Sequence, residues 1–304
     1  MQTETLNIAL WSINFRRKLS NLGDWLALVE QQIANAKEGG AELLILPEYA
    51  SEHWMGFAPE TLAPSDEIAW MAAKSAGVLA VLQGLSSEND IAILAGTIPV
   101  AGVSGQYHNR AHFFTPDGAV VVQDKLCLTP NEQDEDAWLL EPGSELNVFT
   151  WRGLNVAILT CLDIEMPALS VLLAPHDVDL ILVPSMTTRL AGYHRVFDCA
   201  KARAIEPQAA VAVVGPVGNV EQGEVVRGDN TSASALYLPC EESLGHNGIA
   251  GSTEVSQGHD VSDLKDELLL ATIPCQKIRD LRQGLAEVWP GGWSADHITI
   301  KTQG

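Results

Sequence analysis

Apolar residues form two different patterns along this chain, uninterrupted short runs and a spacing of three and four residues. Short runs that are apolar throughout, such as "LLIL" at 43–46 and "LILV" at 180–183, predict strands buried on both faces. Between two such runs the apolar residues recur at spacings of three and four, which is typical of a helix with one buried face. These helical positions are Leu22, Trp25, Val29, Ile33 and Ala36. Gly39-Gly40 then predicts the end of the helix.

The same order of elements returns in the second half of the chain. "LNIALWSIN" at 6–14 is echoed by "LNVAILTCL" at 154–162, and "AELLILPE" at 41–48 by "VDLILVPS" at 178–185. Further segments fit a strand–helix scheme: a helix from about 65 to 85, short strands at 91–98 and 209–215, and a hairpin at 111–126 with its turn at Pro116-Asp117-Gly118. The chain therefore resembles a duplication of one α/β unit.

A sheet that is buried on both faces must have other secondary-structure elements packed against each face. Two sheets packed against each other, with helices outside, would bury all of this apolar surface. We therefore predict the α/β class and a four-layer αββα sandwich with an internal two-fold pseudo-repeat. Residues 1–304 are expected to form a single domain, with halves of about 1–150 and 151–285 and a C-terminal tail at 286–304. The turn-rich stretch 141–153 is interpreted as a hinge within it, and the Gly-rich stretch 241–262, with His246 and His259, as a surface loop.

Charge and cysteine content narrow the functional classes. Lys and Arg number 18 against 39 Asp and Glu, a formal charge of −21, which disfavours nucleic acid and anionic membrane surfaces as partners. The N-terminus shows no secretory signal pattern, and a cytoplasmic location is expected. The five cysteines are far apart, and neither CxxC nor HExxH occurs. Reduced thiols are thus expected, with no metal and no cofactor.

Two reactive side chains, Cys161 and Glu48, each occur in only one of the two matched halves. Cys161 in "VAILTCLDIEMP" aligns with Ile13, and Glu48 aligns with Ser185, so each reactive residue occurs in only one half. Both follow an apolar strand, at the end where α/β folds place their chemistry, and Pro47 helps to end the first strand. This asymmetry predicts one site per chain.

A third element joins this pair. Lys125 ends a hairpin strand in "VVVQDKLCLTPNEQDEDAW", and Glu132 follows seven residues later in a loop. Taken singly, each of these residues has a more common role. A glutamate such as Glu48 is usually an exposed carboxylate, a lysine such as Lys125 is usually solvated, and a cysteine such as Cys161 is usually a small buried side chain.

Together, these residues and their flanking segments resemble the nitrilase superfamily of carbon–nitrogen hydrolases. The resemblance covers nearly the whole chain, because "LLILPEYA", "QDKLCLTPNE", "VAILTCLDIEMPALSVLLA", "DLILVPS" and "CAKARAIEP" occur in the order of that family. It implies the αββα sandwich and a catalytic set of Glu48, Lys125 and Cys161, with Glu132 as the second glutamate. The form of these motifs is similar to amidase-like branches.

The resemblance also implies a mechanism that suits these residue types. A free thiol has a pKa near ~8.5, so a nucleophilic cysteine needs a base and is helped by a cation. Glu48 would be the base and later the acid, and Lys125 with the backbone N–H of Leu162 would stabilise the oxyanion. Glu132 would hold Lys125 and the substrate in place. The product of the first half-reaction would be a thioester on Cys161.

Some positions depart from the family pattern, and the substrate is left open. Leu162 replaces a residue that is commonly aromatic, Ala168 a glutamate and Pro207 an asparagine, so pocket shape is where we expect differences. Primary amides, N-carbamoyl compounds, ω-amido acids and nitriles remain as substrate classes, with amides favoured. Besides Leu162, the residues expected to contact substrate, from their positions after strand ends, are Tyr49, His53, Trp54, Trp138, Met186, Thr187, Arg189 and Tyr193.

Two other functional classes compete with this interpretation. A cysteine–histidine hydrolase would need a histidine base, and none of the eight histidines lies in a recognisable partner motif. A non-catalytic scaffold of the same fold would be expected to lose part of the Glu-Lys-Cys set. The family commonly pairs subunits through helices beside the cysteine, and the apolar stripes of "EMPALSVLLA" and "GYHRVFDCAKARAIE" predict a homodimer or a larger homo-oligomer.

Overall fold

In the part of the chain that the structure describes, the β-structure consists of two six-stranded sheets and a separate two-stranded hairpin. The computed structural model describes residues 3–222, 225–256 and 267–302. The strands are β1 Leu6–Ser12, β2 Leu43–Ile45, β3 Ala92–Ala101, β4 Tyr107–Phe114, β5 Val120–Asp124, β6 Val148–Trp151, β7 Leu154–Ile158, β8 Leu180–Pro184, β9 Ala210–Val214, β10 Gly218–Gln222, β11 Val225–Asn230, β12 Ser234–Tyr237, β13 Ile249–Ser252 and β14 Glu267–Ile273.

Within the described ranges, six α-helices and several short 3₁₀ turns connect these strands. The α-helices are α1 Leu22–Glu38, α2 Glu67–Asn89, α3 Pro130–Gln133, α4 Pro167–Leu173, α5 Leu190–Ile205 and α6 Cys275–Asp280. Two 3₁₀ helices matter for the site: Ala50–Phe57, which follows β2, and Cys161–Glu165, which follows β7.

The two sheets have the same topology. The first runs β14-β1-β2-β3-β4-β5 and the second β6-β7-β8-β9-β12-β13. In each, three central strands are parallel, as in the registers Ile8↔Leu43 and Val156↔Leu180, and the flanking strands are antiparallel. The internal duplication read from the sequence is therefore present as two matching sheets.

The edge strands are exchanged between the halves. β6 follows the first half in the chain but pairs with β7 of the second sheet, and β14 follows the second half but pairs with β1 of the first. The expected hinge at 141–153 thus contains strand β6, and the expected boundary near residue 150 falls inside that strand. Each half supplies the outer strand of the other half's sheet.

Alternation along the strands creates the four layers. In β1, Ile8 and Leu10 face the second sheet, whereas Ala9 and Trp11 pack under the helices on the outer face. One core lies between the sheets, one under α1 and α2, and one under α5 with Val196 and Phe197. The predicted αββα sandwich is confirmed.

Helix α1 forms where the spacing of its apolar residues predicts it. Asn21 caps its start by accepting a hydrogen bond from the N–H of Asp24 at 3.1 Å, and the N–H of Gly39 donates to Asn35 at its end. Trp25 and Val29 are fully buried against the first sheet. Burying each such side chain stabilises the fold by about 1.5–3 kcal/mol relative to exposure.

Helix α2, Glu67–Asn89, lies where a helix was predicted at about 65–85 and extends a few residues further. Among the described residues, the stretch Pro64–Asn89 is the helix with the length and apolar composition to cross a membrane. Its buried residues, including Met71, Val78 and Leu82, belong to the outer core of the first sheet. In this protein α2 is thus part of the outer helical layer of the sandwich.

The predicted surface loop at 241–262 is partly regular. Its described part, up to residue 256, contains the 3₁₀ turn Glu242–Leu244 and strand β13. His246 is exposed and pairs with Glu242. His259 lies outside the described residues.

Candidate active site

A cavity opens where the carboxyl ends of β2, β7 and β8 meet. Its volume is about 660 Å³, and both halves of the chain contribute to it. The lining residues are Glu48, Tyr49, Glu52, Lys125, Thr129, Pro130, Asn131, Glu132, Trp138, Cys161, Met186, Thr188 and Arg189. The four residues expected to carry the chemistry, Glu48, Lys125, Glu132 and Cys161, all lie in it.

The backbone around Glu48 is fixed by a close approach of strand β3. Gly96 has a φ of +64°, and a Cβ there would lie 1.8 Å from the carbonyl oxygen of Pro47, so a side chain is excluded. The N–H of Tyr49 donates to Thr97 Oγ1 at 2.8 Å. Together these contacts hold Glu48 at the floor of the cavity, with 1% of its surface exposed.

Lys125 lies between two carboxylates. Its Nζ donates to Glu48 Oε1 at 2.8 Å and to Glu132 Oε2 at 2.7 Å, and all three side chains are almost completely buried. Lys125 comes directly after β5, and Glu132 is on α3. A buried charge needs such pairing, since an unpaired one costs several kcal/mol.

Asn109 bridges the same two carboxylates and was not foreseen from the sequence. Its Nδ2 lies 2.9 Å from Glu48 Oε1 and 3.0 Å from Glu132 Oε1. The hydroxyl of Tyr49 donates to Glu132 Oε1 at 2.6 Å, and the Thr129 N–H donates to Glu132 Oε2 at 2.8 Å. The available signal was a polar residue within the buried strand β4. Both carboxylate oxygens of Glu132 therefore accept hydrogen bonds.

Cys161 begins a 3₁₀ helix in a strained backbone conformation. Its φ is +49°, in the left-handed region that non-glycine residues rarely occupy and that is enriched at functional sites. Its thiol lies 3.5 Å from the carbonyl oxygen of Met186 and keeps 6% exposure. Ser185, the residue matched with Glu48 in the pseudo-repeat, is completely buried, and its hydroxyl has no hydrogen-bond partner among the described residues.

Asp163 connects the segments that carry Lys125 and Cys161. Its Oδ1 accepts from the N–H of Cys127 at 2.7 Å, and its Oδ2 accepts from the N–H of Thr160 at 3.0 Å. The side chain is completely buried. The sequence signal was an acidic residue two positions after the cysteine. Asp163 therefore sets the distance between the two segments without lining the cavity.

The electrostatics favour a neutral thiol beside the charged pair of Lys125 and Glu132. Burial and the nearby Glu48 raise the pKa of Cys161 to about 12. Burial also raises the pKa of Glu48, although Lys125 opposes this. Burial and Glu48 thus outweigh Lys125, which by itself lowers the pKa of the thiol.

Lys125 and Glu132 form the charged part of the cluster. Burial acts against the charge of Lys125, but Glu48 and Glu132 outweigh it and raise the pKa of the ammonium. Burial likewise acts against the charge of Glu132, but Lys125 and the hydrogen bonds from Tyr49 and Thr129 outweigh it and lower the pKa of that carboxyl. Both groups are charged at neutral pH.

The residues expected to contact substrate separate into two groups. Tyr49, Trp138, Met186 and Arg189 line the cavity, and Tyr49 packs against Trp138 with ring centroids 4.8 Å apart. The remaining five do not line it: His53, Trp54, Leu162, Thr187 and Tyr193.

Each side chain of the second group has other contacts. His53 stacks on Phe15, and its Nε2 lies 2.7 Å from the carbonyl oxygen of Arg17. Trp54 is buried against Trp25, and Tyr193 packs on Phe197. The hydroxyl of Thr187 donates to the carbonyl oxygen of Thr231 at 2.6 Å, and Leu162 is half-buried.

Other features of the lining were not predicted from the sequence. Thr188 lines the cavity where Thr187 was expected, and Glu52 contributes a further carboxyl. Ala168 and Pro207, which depart from the family pattern, are not part of the lining. Among the described residues no cluster of three or more His, Cys, Asp or Glu side chains could hold a metal ion.

Comparison with known proteins assigns the family. The model of the carbon–nitrogen hydrolase family matches residues 7–247. This chain belongs to the carbon–nitrogen hydrolase family. The match includes Glu48, Lys125, Glu132 and Cys161, so the cavity described above lies inside the family domain.

Several curated proteins are similar to much of this chain. The probable hydrolase YhcX of Bacillus subtilis is 28% identical over 78% of this chain and 45% of its own length. An (R)-stereoselective amidase of Pseudomonas sp. is 29% identical over 62% of this chain and 64% of its own length. The omega-amidase YafV of Escherichia coli K12 is 29% identical over 63% of this chain and 68% of its own length. The chain thus spans less than two thirds of the first two relatives.

Solved structures confirm the fold. An amidase of the nitrilase superfamily from Nesterenkonia sp. AN1 superposes with a TM-score of 0.66 and 23% identity, covering 92% of this chain and 98% of that one. A variant of the same amidase in complex with butyramide also superposes with a TM-score of 0.66. The nitrilase-superfamily fold expected from the sequence is therefore correct.

Proposed function

We propose that this carbon–nitrogen hydrolase cleaves the C–N bond of small amides through a thioester on Cys161. The observation that carries the proposal is one cavity in which a thiol faces a lysine held between two buried carboxylates. The amidase names of two relatives support an amide as the substrate. No histidine lines the cavity within the described ranges, which favours a glutamate over a histidine as the base.

Glu48 is proposed as the general base for the attack. Glu48 and Cys161 line the same cavity, and the charge of Glu48 helps to raise the pKa of the thiol. Because the pKa of the thiol is about 12, it loses its proton to Glu48 as the sulfur attacks the amide carbon, and not beforehand. The charge then moves from the carboxylate to the former carbonyl oxygen.

Lys125 is proposed to stabilise that oxyanion. Its ammonium is held by Glu48 and Glu132, so little reorganisation is needed when the negative charge appears. The backbone N–H of Leu162, in the first turn after Cys161, is the second proposed donor. Loss of one such donor typically costs about 3 kcal/mol of transition-state stabilisation.

The remaining steps restore the starting protonation states of Cys161 and Glu48, with one water consumed. Glu48 gives the thiol proton to the leaving nitrogen, the C–N bond breaks, and ammonia or an amine departs from the thioester. Glu48 then takes a proton from water as the water oxygen attacks the thioester carbon. When the C–S bond breaks, the acid is released and the proton returns to sulfur. Glu132 keeps Lys125 in position and exchanges no proton.

Matched amide and nitrile substrates provide the direct test. Both reactions begin with attack by sulfur, but a nitrile needs two protonations to lose ammonia, whereas an amide needs its nitrogen protonated once. With one glutamate at the sulfur, we expect kcat/KM for butyramide to exceed that for butyronitrile by at least about tenfold, or about 1.4 kcal/mol.

Ammonia release from butyramide, butyronitrile and N-carbamoyl-β-alanine is the measurement, with Cys161→Ala protein as the blank. Equal or faster turnover of the nitrile would reassign the chain to nitrile hydrolysis. Faster turnover of the carbamoyl compound would reassign it to carbamoyl hydrolysis. Ammonia release from none of the three by folded protein would favour a non-catalytic scaffold.

A further inference from the structure

The cavity contains a carboxyl that the proposed reaction does not use. Glu52, on the 3₁₀ helix Ala50–Phe57, lines the cavity together with Glu48, yet only 7% of its surface is exposed. Its Oε2 is buried and has no hydrogen-bond partner among the described residues. Native proteins leave few buried polar atoms unpaired, and each such atom calls for an explanation, such as a bound ligand.

Arg227, whose charge acts on Glu52, and Trp138, which lines the same cavity, both donate to another carboxylate. Arg227 Nε donates to Glu67 Oε1 at 2.9 Å, and Trp138 Nε1 donates to Glu67 Oε2 at 3.3 Å. Both oxygens of Glu67 are therefore occupied, whereas Glu52 Oε2 beside this pair is not. Glu52, which lines the cavity, therefore keeps one carboxylate oxygen without a donor among the described residues.

A second unpaired polar group lies close to Glu52. The side chain of Asn230 is completely buried, and neither its Oδ1 nor its Nδ2 has a partner within the described ranges. Gly228, with a φ of +59°, borders both side chains: a Cβ there would lie 3.2 Å from Asn230 Nδ2 and 3.7 Å from Glu52 Oε1. The absence of a side chain at Gly228 keeps this polar corner open.

The charges of the lining favour a cation at this corner. Burial and the neighbouring Glu67 raise the pKa of Glu52 to about 7, so ionising this carboxyl is costly without a partner. Of the two cations in the lining, Lys125 already pairs with Glu48 and Glu132, and Arg189 is exposed. The formal charge of −21 also attracts cationic ligands to the molecule.

We propose that Glu52 binds an ammonium group carried by the acyl chain of the substrate, so that the preferred substrates are small ω-amino amides. This inference rests on the proposed amide hydrolysis and adds the substrate class. An ammonium supplies hydrogen-bond donors to the carboxylate and keeps it ionised. Arg189 would favour the opposite class, amides that carry a carboxylate, and that class is one arm of the test.

Three amides of similar size separate these classes: 4-aminobutanamide, pentanamide and the monoamide of glutaric acid. For the wild-type protein we expect kcat/KM for 4-aminobutanamide to exceed that for each of the others by at least about tenfold. Glu52→Gln should lower this value by at least about tenfold, mainly through KM, and change kcat/KM for pentanamide by less than about threefold. Glu30→Gln, on the exposed face of α1, removes the same charge and should change neither value by more than about twofold.

Two kinetic outcomes would overturn the inference. An equal loss for 4-aminobutanamide and pentanamide in Glu52→Gln would show a structural role for Glu52. A wild-type preference for pentanamide or for the glutaric monoamide would show that no ammonium is recognised. In either case turnover of an amide would leave the proposed amide hydrolysis standing.

A binding experiment keeps the inference testable if none of the three amides is hydrolysed. Titration calorimetry with Cys161→Ala protein should then show tighter binding of 4-aminobutanamide than of pentanamide. The difference should disappear in the Cys161→Ala, Glu52→Gln double variant. Equal binding of the two amides by Cys161→Ala protein would overturn the inference independently of catalysis.

Discussion

The carboxylate of Asp163 accepts a 2.7 Å hydrogen bond from the backbone N–H of Cys127. Cys127 is two residues beyond Lys125, and Asp163 is two residues beyond Cys161. The other oxygen of Asp163 accepts from Thr160, directly before the cysteine. A buried side chain outside the cavity thus fixes the two segments from which the thiol and the ammonium project.

Asp163→Asn should reduce activity through this connection. The amide has one acceptor oxygen, and its NH₂ group would face a backbone N–H, so at least one buried donor loses its partner at a cost of about 1–3 kcal/mol. We expect a lower melting temperature and a fall in kcat of at least about tenfold with a smaller change in KM. The control is Asp90→Asn, at an exposed left-handed position that asparagine tolerates. A variant that lost stability but kept full kcat would contradict a positioning role.

Replacing the nucleophile should remove turnover and leave the fold intact. Cys161→Ala deletes one sulfur atom at the wall of an existing cavity, so little new void is created. Amide hydrolysis should fall to background, while the circular dichroism spectrum and melting temperature stay close to those of the wild type. Cys199→Ala, on α5 and outside the cavity lining, should keep activity within about threefold. Retained turnover in Cys161→Ala would exclude the thioester route.

The pH dependence should report the state of Glu48. Because burial raises the pKa of Glu48 above its ordinary value of 4.5, this base becomes protonated, and unable to accept the thiol proton, at a higher pH than a solvated glutamate. kcat/KM should therefore fall on the acid side along a limb whose midpoint lies above pH 4.5. Glu48→Gln should lower kcat/KM by about 10²-fold or more and abolish this limb. An acid limb that persisted in the variant, or a loss under about threefold, would mean that another group is the base.

Lys125→Ala should cost stability as well as rate. It leaves Glu48 and Glu132 buried without their cation, and breaking a buried pair typically destabilises a protein by about 3–5 kcal/mol. Without Lys125 the pKa values of both carboxyls rise, so lowering the pH protonates them and reduces the penalty. The difference in melting temperature between wild type and variant should thus be larger at pH 8 than at pH 5. A difference that did not change with pH would show that these carboxylates are not left charged.

We propose that two chains form a homodimer through the surface of α4 and α5. Val171 and Leu172 on α4 are 72% and 58% exposed, which is unusual for two adjacent apolar side chains. Light scattering should return about twice the 32.7 kDa mass of one chain, and Val171→Glu should shift the mass toward the monomer. Val103→Glu, in an exposed hairpin, is the control and should leave the mass unchanged. A monomer mass for the wild type at micromolar concentration would contradict the proposal.

The sequence by itself determined the layers and the positions of the reactive residues. Apolar runs and three- to four-residue spacing are local patterns that follow from which faces of a strand or helix are buried. They were enough to place β1, α1 and β2, the repeat in the second half, and Glu48 and Cys161 at strand ends. The exchange of β6 and β14 between the sheets lay beyond such patterns, because strand pairing is a non-local contact.

Tertiary structure alone decided which way the side chains near the strand ends point. Glu52, His53 and Trp54 are consecutive, yet only Glu52 lines the cavity, while His53 stacks on Phe15 and Trp54 packs on Trp25. A 3₁₀ helix turns about 120° per residue, so neighbouring side chains face different surroundings, and packing selects which of them meets the cavity. Asn109 and Asp163 join segments that are distant in the chain, and their roles follow from a geometry that no local pattern encodes.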